Sequence, residues 1–314
     1  MNNGNSQKIL CSIPGLSSNC AVTGYPIEKI GDLVTAWKPY LTATEVPNEE
    51  SIASFVNLNV SKTTRTSRID EVDTQTKSHK TYFYIESKIH PGIDGNLTLV
   101  RQIRSAIVLS ELLNYPTSTA PVHGAVVKMG ESTLVLTGPK GAGKTTTLTS
   151  LLQNGGQLIA NDKFIMKKMG SSTAAVGLPS SVKVIASYAD SLSHRHAHDE
   201  ENGKLHIWSN DFAEMYGTKC LPYSLISSII LLDHAKQTPA VFEPMDGLGV
   251  VSALDDYLSP GFEPKLRPFF PSSFPILELI SGVNCLHLYG DLGLYDGGDR
   301  QRDNIVQIIS EISS

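Results

Sequence analysis

Residues 132–162, STLVLTGPKGAGKTTTLTSLLQNGGQLIAND, restrict the fold more than any other stretch of this chain. Leu134, Val135 and Leu136 predict a short strand that stops at Gly138. Pro139, Lys140, Gly141 and Ala142 then lead into Gly143-Lys144-Thr145, which is the G-x-x-x-x-G-K-[ST] spacing of a Walker A loop. Glycines let the main chain turn its N–H groups inward around a polyphosphate, a lysine neutralises the outer phosphates, and the threonine hydroxyl can ligate Mg²⁺. Residues 146–153, from Thr146 on, hold no breaker and carry Leu148, Leu151 and Leu152 at helical spacing, so phosphates would sit on a helix N-terminus. Asn154-Gly155-Gly156 ends that helix. A second short strand, residues 157–160, finishes at Asn161 and Asp162, and in open α/β sheets ligands lie beyond the carboxyl ends of strands. A carboxylate there could hold the magnesium or orient an acceptor. A chance match to the loop pattern is the competing reading; against it, strand, helix and acidic strand end all fall where the chemistry needs them.

With 314 residues, 40% of them hydrophobic and 18% charged, the chain can build one large or two modest domains with cores of their own. A formal net charge of -5 supplies no electrostatic reason to expect nucleic acid or an anionic membrane as partner. No apolar run reaches the roughly 18 to 20 residues of a membrane span. The opening MNNGNSQKILCSIPG lacks the apolar centre of a signal peptide, so a cytoplasmic protein is expected. Cys11, Cys20, Cys220 and Cys285 form no CxxC pair and no zinc-ligand pattern. Cys220 and Cys285 read as small buried hydrophobes, and Cys11 and Cys20 could face each other across a turn.

Along the chain, residues 1–26 are rich in Ser, Asn, Gly and Pro, and residues 27–37 predict a short helix with Ile30, Leu33 and Val34 on one face. Residues 52–60 and 81–89 alternate like half-buried strands. The polar stretch between them, with Lys62, Arg65 and Arg68, reads as a long exposed hairpin or a loop. Residues 97–114 predict an amphipathic helix stopped by Tyr115-Pro116, and TSTAP reads as a linker. A strand from His123 to Lys128 then pairs with the Walker strand as a hairpin, which brings His123 into the nucleotide-binding sheet. Beyond Asp162, FIMKK and AAVGLP continue the same sheet pattern, and SVKVIASYAD reads as strand then short helix. In SHRHAHDEENGKLHIW, His194, His196 and His198 alternate and would share one face of a strand as metal ligands, but acidic and Gly-containing neighbours favour a solvated loop. Residues 225–232, LISSIILL, predict a central strand ending in Asp233-His234. Helices are expected over 247–258 and 274–282, a last strand over 285–288 and a closing helix over 304–312.

A helix, a strand opening His-Gly, a turn, a Walker strand and loop, its helix, and a strand ending in a polar-acidic pair: in this order the pieces resemble the HPr kinase/phosphorylase family and its shorter HPr kinase-related relatives, which share their core with phosphoenolpyruvate carboxykinases. The resemblance is specific over residues 121–166, looser over 176–288, and does not extend to residues 1–90. It implies an α/β, P-loop nucleotide-binding core of the HPr kinase/PEP carboxykinase type over residues 96–314, with a smaller β-rich N-terminal region over 1–95. It makes Gly138, Gly141, Gly143, Lys144 and Thr145 the phosphate cradle, with Pro139, Lys140, Ala142 and Thr146 completing the binding segment. Thr145 becomes a magnesium ligand, Asp162 the metal-associated carboxylate, and His123 the family histidine near the phosphates. Asn161 stands where that family has the Asp that acts as base. An amide cannot take up a proton near neutral pH, so the role moves to Asp162 or His123, or is dispensed with, as phosphoryl transfer tolerates. Arg267 and Arg302 are the candidates for the family's phosphate-contacting arginine.

The expected activity is an ATP- and Mg²⁺-dependent phosphotransfer to a hydroxyl, with a serine of a peptide or protein ahead of a small molecule. A nucleotide-binding regulatory module without transfer is the alternative. A carboxykinase is disfavoured, because the chain offers neither the length nor the substrate-binding arginines. The resemblance also implies a homo-oligomer; neither nucleic acid nor membrane is expected as a partner.

Overall fold

The computed structural model describes residues 9–23, 30–31, 34–35, 37–45, 52, 55–60, 68–77, 80–89, 93–185, 197–201, 204–255, 269, 271, 274–291 and 299–313. It is an α/β structure with mixed sheets.

The chain begins with a six-stranded sheet. Strands β1 (Ile9–Ser12), β2 (Asn19–Thr23), β3 (Thr42–Glu45), β4 (Phe55–Val60), β5 (Arg68–Lys77) and β6 (Lys80–Ile89) lie in the order β3-β1-β2-β4-β6-β5. The first two fall within the Ser/Asn/Gly/Pro-rich opening, where composition gave no strand signal; what makes them strands is the burial of Ile9, Leu10 and Cys11 against Ala21 and Val22. Cys11 and Cys20 are direct cross-strand partners, and both are free thiols. The polar stretch read as a hairpin or loop contributes β5, a ten-residue edge strand antiparallel to β6. An edge strand needs one partner only, and the Thr, Val and Ile of this segment suit an extended backbone. Lys62 and Arg65 lie outside the described residues, as does much of the helix expected over 27–37, of which 30–31 and 34–35 are helical.

Helix α1 (Ile93–Asn114) follows and lies against β2, β4 and β6. Its Leu99, Ile103, Ala106 and Ile107 join Ile9, Cys20, Val22 and Trp37 in one core cluster, which also takes in Ile165 and Val176 from later in the chain.

Next come β7 (Thr119–His123), β8 (Ala125–Met129), β9 (Ser132–Thr137), α2 (Lys144–Gln153), β10 (Gln157–Ala160), β11 (Lys163–Met169), β12 (Ser172–Gly177), β13 (Ser181–Ile185), β14 (Ala197–Glu201), β15 (Lys204–Trp208), α3 (Ser209–Met215), β16 (Tyr223–Leu225), β17 (Ser228–Pro239), β18 (Val241–Pro244), α4 (Gly247–Asp255), α5 (Ile276–Ile280), β19 (Asn284–Asp291) and α6 (Asp299–Ser313). The central sheet has the order β10-β8-β9-β17-β19-β18. Strands β9, β17 and β19 are parallel, and β8 is antiparallel to both β9 and β10, so β9 and β10 run in the same direction. Leu148 and Leu152 of α2, Phe212 of α3 and Ile308 of α6 cover one face with Leu136, Leu232 and Leu288; Val250 and Leu254 of α4 and Leu279 of α5 cover the other with Val135 and Ile229.

Three expectations are corrected here. FIMKK and AAVGLP do not continue the central sheet: β11 and β12 belong to a separate four-stranded sheet, β16-β12-β11-β7. TSTAP is no linker, because Thr119 to Pro121 are part of β7, at the edge of that sheet, where a proline's missing N–H can face outward. The predicted strand over 123–128 is broken in two: β8 does form the hairpin with β9, but His123 ends β7 and so belongs to the smaller sheet. Gly124 makes the break. A Cβ there would stand 2.7 Å from the Leu136 carbonyl oxygen, so only glycine lets the two sheets approach this closely.

A third sheet, β13-β15-β14, replaces the solvated loop expected around residues 191–208. Its two later strands are the arms on either side of Asn202-Gly203, a hairpin signal that the surrounding charges masked. His194 and His196 lie outside the described residues, and His198 sits in β14. Among the described residues no group of three or more His, Cys, Asp or Glu is placed to hold a metal. No described helix is long and apolar enough to cross a membrane.

Candidate active site

The stretch between β9 and α2 owes its shape to its glycines. Gly138, Gly141 and Gly143 have φ of 143°, 90° and 89°. At Gly138 space matters as well as torsion, since a Cβ would run into the main-chain carbonyl of Leu232 in β17. Gly143 caps α2 in the left-handed conformation, its carbonyl accepting from Thr147 N at 2.8 Å, and Ala142 N donates to the Pro139 carbonyl at 3.1 Å. Ala142 is buried, whereas Pro139, Lys140, Gly141 and Thr145 are exposed at the rim; Thr146 is half-buried. Lys144 folds back over the loop, its Nζ donating to the carbonyls of Gly138 at 2.7 Å and Pro139 at 3.0 Å. Burial lowers the pKa of this ammonium, and the charge of Asp162 works against that shift.

That coupling exists because β10 runs with β9, so its end reaches the same edge of the central sheet as the loop. Asp162 is the one non-glycine among the described residues with positive φ, at 83°, and its carbonyl accepts from Gly124 N at 3.0 Å. The junction between the two sheets thus turns on Gly124 and Asp162 together. It aims the carboxylate at His123, whose Nδ1 lies 3.1 Å from Asp162 Oδ1, with Lys163 Nζ 3.8 Å from Oδ2. Thr137, the last residue of β9, holds the backbone of His123 from the other side, its Oγ1 donating to the His123 carbonyl at 3.2 Å. The Asp162 side chain keeps 49% of its surface exposed. Burial alone would raise its carboxyl, but the hydrogen bond from His123 and the charges of Lys163, His123 and Arg104 outweigh it, leaving the pKa below the ordinary value.

Asn161 points a different way from its neighbour. It is 6% exposed, and its carbonyl accepts from Ser180 Oγ at 3.4 Å. The structure therefore brings Lys144, Asp162 and His123 to one edge and leaves the Asn161 amide inside.

Two cations near Asp162 escaped the sequence reading. Lys163 follows it directly. Arg104, on α1, is 7% exposed; its Nη1 donates to the Pro179 carbonyl at 2.8 Å, and its Nε has no hydrogen-bond partner among the described residues. Burial and the nearby Arg101 push the guanidinium down to about 10, with Asp162 opposing them. A signal existed: Arg104 and Glu111 stand seven residues apart on the helix face that otherwise carries Val100, Ile107 and Val108, so two charges were headed for the interior. Arg267 lies outside the described residues, and Arg302 is in α6.

The donors gathered here are hard oxygens, the Thr145 hydroxyl and the Asp162 carboxylate, without a closed cage. Such a set suits Mg²⁺, which takes one or two carboxylates and otherwise relies on phosphates and water.

No protein-family model matches the chain, and no curated protein does. Among solved structures, the fold is similar to that of the Hpr(Ser) kinase/phosphatase from Coxiella burnetii, with 11% identity and a TM-score of 0.34, over 62% of this chain and 99% of that one. A likeness of that size is too slight to argue from.

Proposed function

We propose that this chain is a Mg²⁺-dependent phosphotransferase that moves the terminal phosphoryl group of ATP to a hydroxyl, in the first instance a serine of a peptide or protein. The observation that supports it is the shared edge: a glycine-shaped loop with its lysine, and an Asp-His pair, come from two different sheets and meet within electrostatic reach of each other. Phosphoryl transfer asks for little covalent help from a protein; positioning and charge neutralisation supply most of the rate. The main-chain amides after Gly138 and the Lys144 ammonium would cradle the phosphates, with Thr145 and Asp162 as oxygen donors to the metal. Bound magnesium would neutralise the phosphate oxygens and fix their orientation.

The acceptor hydroxyl is then the concern of Asp162 and His123. A contact from His123 Nδ1 to Asp162 Oδ1 puts the ring proton on Nδ1, leaving Nε2 as the acceptor of a neutral imidazole. With its pKa held low, the carboxylate orients the ring and the hydroxyl more effectively than it removes a proton. The buried Asn161 amide favours a second reading, a nucleotide-binding module that transfers nothing. Restoring a carboxylate there would bury a charge, so Asp162→Asn separates the two readings more cleanly than Asn161→Asp. Labelled ATP, Mg²⁺ and a pool of seryl peptides, compared across the unaltered protein, Lys144→Ala and Asp162→Asn, test the reading. Transfer that is equal in the unaltered protein and Lys144→Ala rejects it; nucleotide binding without transfer in the unaltered protein selects the module.

A further inference from the structure

The loop has a second acidic neighbour, which the Asp162 side does not explain. β17 lies beside β9, parallel to it, and the last pair in their register is Leu231 with Thr137. The next residue of β17, Leu232, offers the carbonyl against which Gly138 packs, and the one after it is Asp233. The run Ile229-Ile230-Leu231-Leu232 thus delivers a carboxylate level with the start of the loop, on the side away from β8 and β10. Three of those four residues are buried, so the strand is fixed by its packing, while the Asp233 side chain is 61% exposed.

The two carboxylates differ in what already occupies them. Both oxygens of Asp162 have cationic or hydrogen-bonding neighbours, His123 on Oδ1 and Lys163 on Oδ2. Asp233 has a single charged neighbour among the described residues, His287 of β19, whose Nε2 stands 4.0 Å from Oδ2, beyond hydrogen-bond length. An ordinary exposed strand end would account for the solvent access. It would not account for the placement one residue past the carbonyl that shapes the loop, at the carboxyl end of a parallel strand, where a nucleotide's magnesium is met in P-loop proteins.

Resting on the nucleotide-binding reading above, we propose that Asp233 is a second carboxylate for the metal of the metal-nucleotide complex, acting from the β17 side of the loop with Thr145, while Asp162 is shared with His123 and the acceptor. Manganese serves as the probe, because its electron paramagnetic resonance reports binding without turnover. Full-length protein with a non-hydrolysable ATP analogue is titrated with Mn²⁺, for the unaltered chain, Asp233→Asn and Asp233→Glu. The expected result is a loss of about tenfold in Mn²⁺ affinity for Asp233→Asn and a smaller loss for Asp233→Glu, which keeps an oxygen donor. Affinity for the analogue without metal should stay unchanged. Equal Mn²⁺ affinity in the unaltered protein and Asp233→Asn overturns the assignment while leaving nucleotide binding intact. Absence of any analogue binding by the unaltered protein overturns the broader reading and this one with it.

Discussion

Glu111 and Asp162 are both carboxylates with a lysine close by, yet their surroundings suit them to opposite tasks. Glu111 has no solvent exposure: its Oε2 accepts from the Ser17 and Ser18 amides at 2.9 and 2.7 Å, and Lys167 Nζ stands 2.7 Å from Oε1. This closed arrangement joins the turn after β1, α1 and β11, three parts of the chain far apart in sequence. Asp162 keeps half its surface open, on a backbone twisted into positive φ, with partners at 3.1 and 3.8 Å. A carboxylate whose bonding capacity is spent inside the protein can only support the fold; one with capacity left over at a sheet edge can act on something else.

The largest effect should come from the closed site. Glu111→Ala strands Lys167 and two amides in the interior and is expected to cost about 3–5 kcal/mol, read from urea unfolding. A loss under about 1 kcal/mol would erase the contrast, since Glu111 would then be no more structural than a surface residue. At the open site the signs are reversed. Lys144→Ala should leave the unfolding curve in place and reduce transfer by about 10²–10³-fold in a labelled-phosphate assay.

Asp162→Asn sharpens the comparison further, because asparagine also tolerates positive φ and the substitution removes charge while sparing the backbone. Transfer is expected to fall by about 10²-fold. Its stability should respond to pH as well. A carboxyl held below its ordinary value in the folded state contributes stability above the unfolded value of roughly 4, lost as pH falls through the lower folded one. Thermal melts should therefore show the unaltered protein losing stability more steeply on acidification than Asp162→Asn; parallel curves would mean that His123 and Lys163 do not bias the group. Gly124→Ala should have the smallest effect, about 1–3 kcal/mol, as the added carbon forces Leu136 and the Gly124 turn apart. Circular dichroism melts measure it, and no loss at all would show that the two sheets tolerate more separation than their contact suggests.

What could be read in advance follows the range of the interactions. Residues 138–160 were legible because every cue there is local: glycines at fixed intervals, a helical leucine spacing, and the Asn154-Gly155-Gly156 stop. The long apolar run of β17 announced itself in the same way. Legibility failed where a strand is defined by a distant partner. Thr119 to Pro121 looks like a linker until β11 is known to lie beside it, and β5 looks like a loop until β6 supplies its hydrogen bonds. His123 was placed in the wrong sheet because the break at Gly124 depends on a carbonyl twelve residues away. For the same reason, the approach of His123 to Asp162 and of Arg104 toward that turn had no sequence signature as pairs, although each residue was in plain view.

The clasp that Lys144 makes on the Gly138 and Pro139 carbonyls has a thermodynamic corollary. An arriving anion does not meet a bare cation; it must compete the ammonium away from two oxygens that already satisfy it. Occupancy is thus an exchange of partners, so measured affinity will fall short of what a simple count of new contacts suggests, and the empty loop retains its curvature while it waits.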